Sequence, residues 1–381
     1  MDSRSAERLA AERWFLTQGL PAVLRRGALL RRVWSRSAPA LAGLAVVAAN
    51  SILIVTISGQ HTVDIAGRPD LPESFVLGLL VLLIPAMALV GWLVSRVESV
   101  ARRVVIAGVA VGVIGLGAVL GGPSTRIGVN LATFGITIGV ILLLTATGIG
   151  AILGWVAELA MSNLALTAGM FVRALPVVLL TFLVFFNTYV WLMTSLVSRG
   201  RLWLGIGFLL LVAGSFLVAT TVEQISPLLS GSSVPADAPA LTGTPFDGIP
   251  DPPNTDRLSV GERLNVVFVV AASQLLHVLA VAMLTGTIFF ILGMILLSPE
   301  VLDAWTRGTG RSDGELAGMT LPIPNSLIQT TMLLTAITFM YLAAKALTDA
   351  QYRTQFVDPM LDTLKQTLRA RARYRATRPE R

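Results

Sequence analysis

Long runs of apolar residues alternate with short polar segments along most of the chain. A bilayer core about 30 Å thick is crossed by about 20 residues of α-helix, because each residue adds about 1.5 Å of rise. Eight runs reach roughly that length, at residues 38–58, 74–94, 104–121, 131–155, 176–197, 202–222, 264–297 and 326–347. Of all acidic, basic and histidine side chains, only His277 and Lys345 lie within these runs. The pattern predicts an all-α polytopic transmembrane helix bundle of about eight spans over residues 38–347.

Composition agrees with a membrane environment. The chain is 54% hydrophobic and 13% charged, whereas soluble domains are about 25% charged. It has no cysteine, which excludes disulfides, thiolate metal sites and a cysteine nucleophile. Nearly every basic residue is arginine, and Ala, Gly and Val are abundant, a composition typical of a GC-rich bacterial genome. The net charge of +7 indicates contact with anionic lipid rather than with nucleic acid.

Both ends of the chain are rich in arginine, which predicts that both termini are cytoplasmic at the bacterial inner membrane. Residues 1–37 hold eight arginines and three acids, and residues 348–381 hold eight basic side chains. Each end is expected to form a basic amphipathic segment on the inner leaflet. The expected partners are anionic lipids of that leaflet, and a protein partner or a second copy of the chain. The basic residues predicted to contact lipid are Arg25, Arg26, Arg31, Arg32, Lys365, Arg369 and Arg373.

The start of the C-terminal amphipathic helix is marked by Asp358 and Pro359. Aspartate is a good N-cap, and proline is favoured at the first helical position. Leu361, Leu364 and Leu368 then fall on one face of the predicted helix.

The topology of the middle of the chain stays open. Strict alternation of eight spans places the loop 223–263 in the cytoplasm, although its six acids and many prolines are typical of an external loop. Residues 157–173 could form an additional weak span, which would place the tail outside. Alternatively, part of 156–222 could be re-entrant. We retain eight spans.

Pairs of glycines four residues apart suggest close helix packing, because small residues allow two backbones to approach. Such pairs lie within or at the ends of spans, at Gly108/Gly112, Gly117/Gly121, Gly135/Gly139 and Gly150/Gly154.

A few polar side chains within the spans form a candidate intramembrane polar site. Ser273, Gln274 and His277 share one helix face near the middle of the seventh run, and histidine at that depth can act as a proton relay or substrate contact. The structural alternative is a neutral histidine hydrogen-bonded between helices. The other members of the set are Asn187, Thr335 and Thr338. Threonine can also bond to its own helix backbone, and asparagine often contacts a neighbouring helix.

The sequence holds no recognisable catalytic pattern: the Gly-rich phosphate loop, the H-E-x-x-H motif and the G-x-S-x-G motif are all missing. We therefore expect no cofactor, no bound metal and no enzymatic activity. The leading hypothesis is a non-catalytic integral membrane protein that acts through protein partners or lipids. The alternative is a channel or transporter for a small solute, although the spans lack the acids of ion-coupled carriers.

Two stretches, RALPVVLLTFLVFFNTYVW at 173–191 and YLAAKALTDAQYRTQF at 341–356, resemble uncharacterised multi-pass membrane proteins of actinobacteria. The more specific part is the spacing of Thr348, Asp349, Tyr352, Arg353 and Phe356. The resemblance implies a multi-pass helical fold and brings no site residues with it. Members of that family have an acid near the position of Thr188, so this chain departs from their pattern there.

Overall fold

A computed structural model describes residues 10–12, 14–16, 18, 23, 32–65, 69–152, 154, 181–230, 239–252, 257–309, 313–316, 319–348 and 358–376. Nearly all of its regular structure is helical, which confirms the all-α prediction, and the described strands form one short hairpin. The elements are α1 Val33–Ser58, α2 Leu71–Ser95, α3 Val100–Leu120, α4 Ile127–Thr147, α5 Thr188–Leu196, α6 Arg199–Ser230, α7 Val260–Leu296, α8 Pro299–Thr306, β1 Asp313–Leu316, β2 Met319–Pro324, α9 Asn325–Thr348 and α10 Asp358–Ala376.

Seven described helices are long and apolar enough to cross a membrane: α1, α2, α3, α4, α6, α7 and α9. They coincide with seven of the eight predicted spans. The remaining predicted span, 176–197, lies partly outside the described residues. Its described part is interrupted, because the helix over 181–185 stops before Asn187 and α5 begins at Thr188.

The fourth predicted span, 131–155, is interrupted near its end, because α4 ends at Thr147 and residues 149–152 are again helical after Gly148. Gly148 adopts a left-handed conformation with φ of 82°, and its N–H bonds to the carbonyl of Thr145. This is the usual glycine stop of a helix.

The chain divides into two compact units. The large unit comprises Met1–Arg25, Ala151–Gly310 and Ser326–Arg381. The small unit comprises Arg26–Gly150 and Arg311–Asn325.

In the small unit, α3 packs closely on α1 through glycine. A Cβ on Gly117 would lie 2.6 Å from the Cβ of Ala48, and a Cβ on Gly121 would lie 2.9 Å from the backbone nitrogen of Ile52. Ala48 also joins a buried apolar cluster with Ile114, Ala118 and Phe134. The predicted pair Gly117/Gly121 is therefore a helix contact.

The other predicted glycine pairs do not make such contacts. Within the described part of the chain, a Cβ on Gly108, Gly112, Gly135, Gly139 or Gly154 would meet nothing within 4 Å, and one on Gly150 would meet only the neighbouring Leu144–Thr145 backbone.

The large unit uses a different glycine pair, seven residues apart on α7. A Cβ on Gly286 would overlap Thr335 of α9, and one on Gly293 would overlap Leu327 of the same helix. These two contacts bring α7 and α9 together, and a pattern of glycines four residues apart does not predict them.

The hairpin β1–β2 belongs to the small unit and extends onto the connection after α1. The amide of Ile65 donates to the carbonyl of Thr320 at 3.0 Å, and the amide of Thr320 donates to the carbonyl of Val63 at 3.0 Å. Val63 and Ile65 are buried against Ile54 and Val76.

The contact between α1 and α3 predicts a position-specific effect of valine. Gly117→Val should lower the thermal unfolding midpoint of the detergent-solubilised protein, since overpacking costs about 1–3 kcal/mol. Gly108→Val makes the same chemical change on the same helix where the added atoms meet open space. This control should leave the midpoint unchanged, and equal midpoints for both variants would contradict the contact.

Candidate functional site

The most elaborate polar arrangement in the described residues lies outside the spans, where the tail helix α10 folds back onto other parts of the large unit. As the Asp358-Pro359 pair predicts, α10 starts at Asp358. Its apolar residues Met360 and Leu364 are buried. We call this assembly the clasp: α10, the segment Pro239–Pro252, the α7 start from Ser259 to Glu262, and the aromatic side chains of Trp14 and Phe15.

The clasp depends on four arginines spaced two residues apart on α10: Arg369, Arg371, Arg373 and Arg375. Residues two apart on a helix point about 200° away from each other, whereas residues four apart share a face. Arg369 and Arg373 therefore form one pair, and Arg371 and Arg375 form another pair on nearly the opposite side.

The first arginine pair binds one carboxylate, that of Asp251. Arg369 donates to Asp251 from Nη2 at 2.6 Å and Arg373 donates from Nε at 2.7 Å. Arg373 also donates to the carbonyl of Phe246 at 2.9 Å, and Gln366 donates to the carbonyl of Ala240 at 2.8 Å. Hydrogen bonds from Arg369 and then from Arg373 lower the pKa of Asp251 to about 2.

The second arginine pair binds Glu262, in the first turn of α7. Arg371 donates to both carboxylate oxygens, at 2.7 and 2.9 Å, and Arg375 donates at 3.0 Å. The side chains of Arg371 and Glu262 are only 4% and 2% exposed, so this is a fully buried ion pair. Glu262 also accepts from the amide of Ser259 at 2.8 Å, while its own amide donates to the Ser259 hydroxyl. The same carboxylate thus caps α7 and holds the tail helix.

An aromatic cluster joins the N-terminal residues to the clasp. The ring of Phe15 lies 5.3 Å from that of Phe246 and 5.4 Å from that of Tyr374, centroid to centroid. Trp14 packs against Phe246 at 5.3 Å. Phe15 is completely buried. Residues near the beginning of the chain, in its middle and near its end therefore meet at one end of the large unit.

The contact between Trp14 and Phe246 constrains the number of spans. Trp14 and Phe246 are in contact, so they lie on the same side of the membrane and an even number of crossings separates them. Five of the long helices, α1 to α4 and α6, lie between these residues. One more crossing between Trp14 and Phe246 would make the number even. The sequence offers two candidates for it, the predicted span 176–197 and the weaker span 157–173, and both lie wholly or partly outside the described residues. With α7 and α9, one such crossing gives a total of eight.

The clasp also explains the acidic loop that conflicted with the arginine-rich tail. Asp251 and Glu262 are the direct counter-charges of the tail arginines. Their presence is therefore no sign of an external location.

The predicted intramembrane polar residues on α7 are buried in the large unit. Ser273, Gln274 and His277 are 5%, 6% and 6% exposed, which places their shared face away from lipid. The hydroxyl of Thr221 on α6 donates to the Gln274 side-chain oxygen at 3.1 Å, and Ser273 donates to the carbonyl of Val269 within its own helix.

The threonines of α9 divide between helix-internal and interhelical bonds. Thr335 donates to the carbonyl of Thr331 at 2.8 Å, within α9. Thr338 shares a hydrogen bond with Thr181 at 3.3 Å, and Thr330 shares one with Thr194 at 2.7 Å.

Asn187 is exposed and caps α5, where its side-chain oxygen accepts from the amide of Tyr189 at 2.9 Å. The α7 face bonds to α6, the α9 threonines bond to Thr181 and Thr194, and the Asn187 side chain bonds to α5. The structure therefore does not bring the six predicted polar residues into a single site.

The basic residues predicted to contact lipid have varied surroundings. Arg369 and Arg373 are engaged by Asp251, and Lys365 forms an exposed ion pair with Asp362 at 3.3 Å. Arg32 is exposed before α1. Arg25, Arg26 and Arg31 lie outside the described residues.

Sequence reasoning missed Asp251, Glu262 and the two buried aromatic residues Phe15 and Phe246. One signal was available: Ser259 and Glu262 form the S-x-x-E pattern of a capping box directly before an apolar run. Nothing local marks Asp251 as a partner of the tail.

Chemically, the clasp is a set of charge-assisted hydrogen bonds, which fix geometry and specificity. Across the described ranges, no three His, Asp or Glu side chains group as metal ligands would. Comparison of the chain with protein-family models, with curated proteins and with solved structures finds no match.

Because the ion pair is buried, replacing one of its charged side chains by an uncharged one should weaken the docking of α10. Glu262→Gln leaves Arg371 buried without its counter-charge, a change that costs about 3 kcal/mol or more. We expect amide hydrogen exchange in residues 358–376 to become about 100-fold faster, as follows from that loss when the helix opens locally. Lys365→Gln, which removes the exposed pair with Asp362, should change exchange little.

A double substitution separates lost pairing from lost packing. Glu262→Leu combined with Arg371→Leu removes both buried charges and should recover most of the protection. Unchanged exchange in Glu262→Gln would show that the pair does not hold the tail.

The lowered pKa of Asp251 predicts that docking weakens in acid. The ionised carboxylate stabilises the docked tail above its ordinary pKa of 3.8, and this contribution is lost as the pH falls from about 4 towards 2. Because the chain has no cysteine, a single spin label at Ala376→Cys can report tail mobility. The label should become more mobile over that pH range. In the Asp251→Asn variant, the label should already be more mobile at pH 7, and its mobility should change less in acid. If the variant and the wild type showed the same change in acid, groups other than Asp251 would be responsible for it.

Proposed function

We propose that this multi-pass membrane protein is a non-catalytic component of the bacterial inner membrane that acts through protein partners or lipids. We further propose that the clasp is its recognition surface on the cytoplasmic side. The observation that carries the proposal is the buried Arg371–Glu262 pair, which fixes an extramembrane helix in one position.

The physical argument is one of preorganisation. Most helical stability in proteins comes from the packing of an amphipathic face, so α10 owes much of its order to its docking. A rigid polar surface loses little conformational entropy when it binds a partner, which favours recognition.

The cytoplasmic assignment is supported by charge. Residues 1–37 and 348–381 carry most of the arginine of the chain. Trp14 from the first segment and α10 from the second both belong to the clasp. Arginine is enriched in cytoplasmic segments next to spans.

Copurification in mild detergent tests the function. The tagged full-length protein should retain a stoichiometric partner, and Glu262→Gln should lose most of it. Arg126→Gln, an exposed change in the small unit, should retain it. Isolation of the wild-type protein as a lone oligomer, or equal retention by Glu262→Gln, would contradict a role of the clasp in partner binding.

A reporter that is active only in the cytoplasm tests the sidedness. Fused after Arg381, it should be active, because the tail is on the arginine-rich side of the membrane. An inactive fusion at normal abundance would place the clasp outside.

A further inference from the structure

A second group of arginines lies in the small unit, at the end where α1 begins, α2 ends and α3 begins. We call it the arginine rim, and it consists of Arg32, Arg36, Arg96, Arg102 and Arg103. The only acid in residues 32–58 and 91–107 is Glu98.

Three contacts show that these helix ends meet. Trp34 of α1 donates from its indole nitrogen to the carbonyl of Val104 of α3 at 3.3 Å. Arg103 of α3 donates to the carbonyl of Ser95 at the end of α2 at 2.6 Å. A Cβ on Gly91 of α2 would lie 3.5 Å from the carbonyl oxygen of Pro39 of α1. The rim arginines therefore lie at helix ends that are packed together.

Arg103 has a different role from the rest of the rim. Its Nε also donates to the carbonyl of Val97 at 2.6 Å, so its guanidinium closes the turn between α2 and α3. Arg32, Arg96 and Arg102 are exposed, and Arg36 is half-buried in the first turns of α1. The three exposed side chains supply the positive field of the patch.

Two tryptophans fix the depth of the rim. Trp34 and Trp92 are 37% and 49% exposed, and the guanidinium of Arg96 stacks 3.9 Å from the centre of the Trp92 ring. Tryptophan is enriched at the level of lipid headgroups. The rim also lies at the ends of three spans. Its arginines are therefore at the depth of lipid phosphates.

We infer that the arginine rim binds the phosphate of an anionic phospholipid headgroup, with Arg32 and Arg102 among its ligands. Guanidinium groups match phosphate geometry and form charge-assisted hydrogen bonds with it. The inference deepens the lipid part of the proposed function, and it involves no residue of the clasp.

Native mass spectrometry of the full-length protein in detergent tests this site, with dioleoylphosphatidylglycerol and dioleoylphosphatidylcholine as separate probes. The wild type should bind the anionic lipid more tightly. Arg102→Gln should weaken that binding about fivefold, and Arg32→Gln with Arg102→Gln about 30-fold, as expected from the contribution of each basic residue near an anionic surface. Binding of the zwitterionic lipid should not change.

Two controls complete the test. Arg126→Gln removes an exposed arginine just before α4, outside the rim, and should keep the wild-type affinity. Millimolar glycerol phosphate should not displace the lipid. Equal binding of both lipids by the wild type, or an equal loss in Arg126→Gln, would overturn the site. Displacement by glycerol phosphate would overturn the lipid assignment and make the rim a site for soluble phosphates.

The outcome is separable from that of the proposed function. Glu262→Gln should keep the full preference for phosphatidylglycerol, because the clasp is not part of the rim. Loss of the lipid preference in the rim variants with intact partner copurification would locate the two interactions on different surfaces. Loss of lipid preference in Glu262→Gln alone would assign the headgroup to the clasp and contradict the rim.

Discussion

Moving a carboxylate out of water costs several kcal/mol even after the protein around it relaxes. Glu262 is 2% exposed, and the extramembrane part of the large unit is arranged around that cost. The amide of Ser259 and the guanidinium groups of Arg371 and Arg375 replace its lost hydration. Since those donors come from the start of α7 and from the tail, the carboxylate orders both at once. This side chain and Asp251 together hold α10 in position, next to the buried cluster around Phe246.

Much of the fold could be predicted from the sequence because the signal for a span is local. A run of about 20 apolar residues has few alternatives to a membrane helix. The errors occurred where a single residue decides the backbone. Gly148 ends α4 inside an apolar run, and Asn187 interrupts another by capping a new helix. The local sequence does not distinguish Gly148 and Asn187 from the glycines and asparagines that lie inside continuous membrane helices.

The candidate site was less predictable, because its contacts join distant parts of the chain. Asp251 and Arg369 are 118 positions apart, and each looks like an ordinary surface charge in its own segment. The acidic loop therefore resembled an external loop. The arginines that neutralise its acids lie in the tail, where they indicated a cytoplasmic location instead. The alternating arginines of α10 and the capping box of Ser259 and Glu262 can each be recognised in the local sequence. Only the folded structure shows that they bind each other. Likewise, Gly117 and Gly108 look alike in sequence, and only Gly117 faces another helix.

The aromatic contacts of Phe15 with Phe246 and Tyr374 have a consequence for biogenesis. Nearly the whole chain is synthesised between Phe15 and Tyr374, so their contact forms only after the last span has been inserted. Before α10 has been made, Phe246 lacks its contact with Tyr374, and Glu262 lacks the arginines that neutralise it. Closure of the clasp therefore requires that both α9 and α10 have been synthesised. A product truncated before α10 would lack these contacts, and exposed apolar surface is what chaperones and proteases recognise.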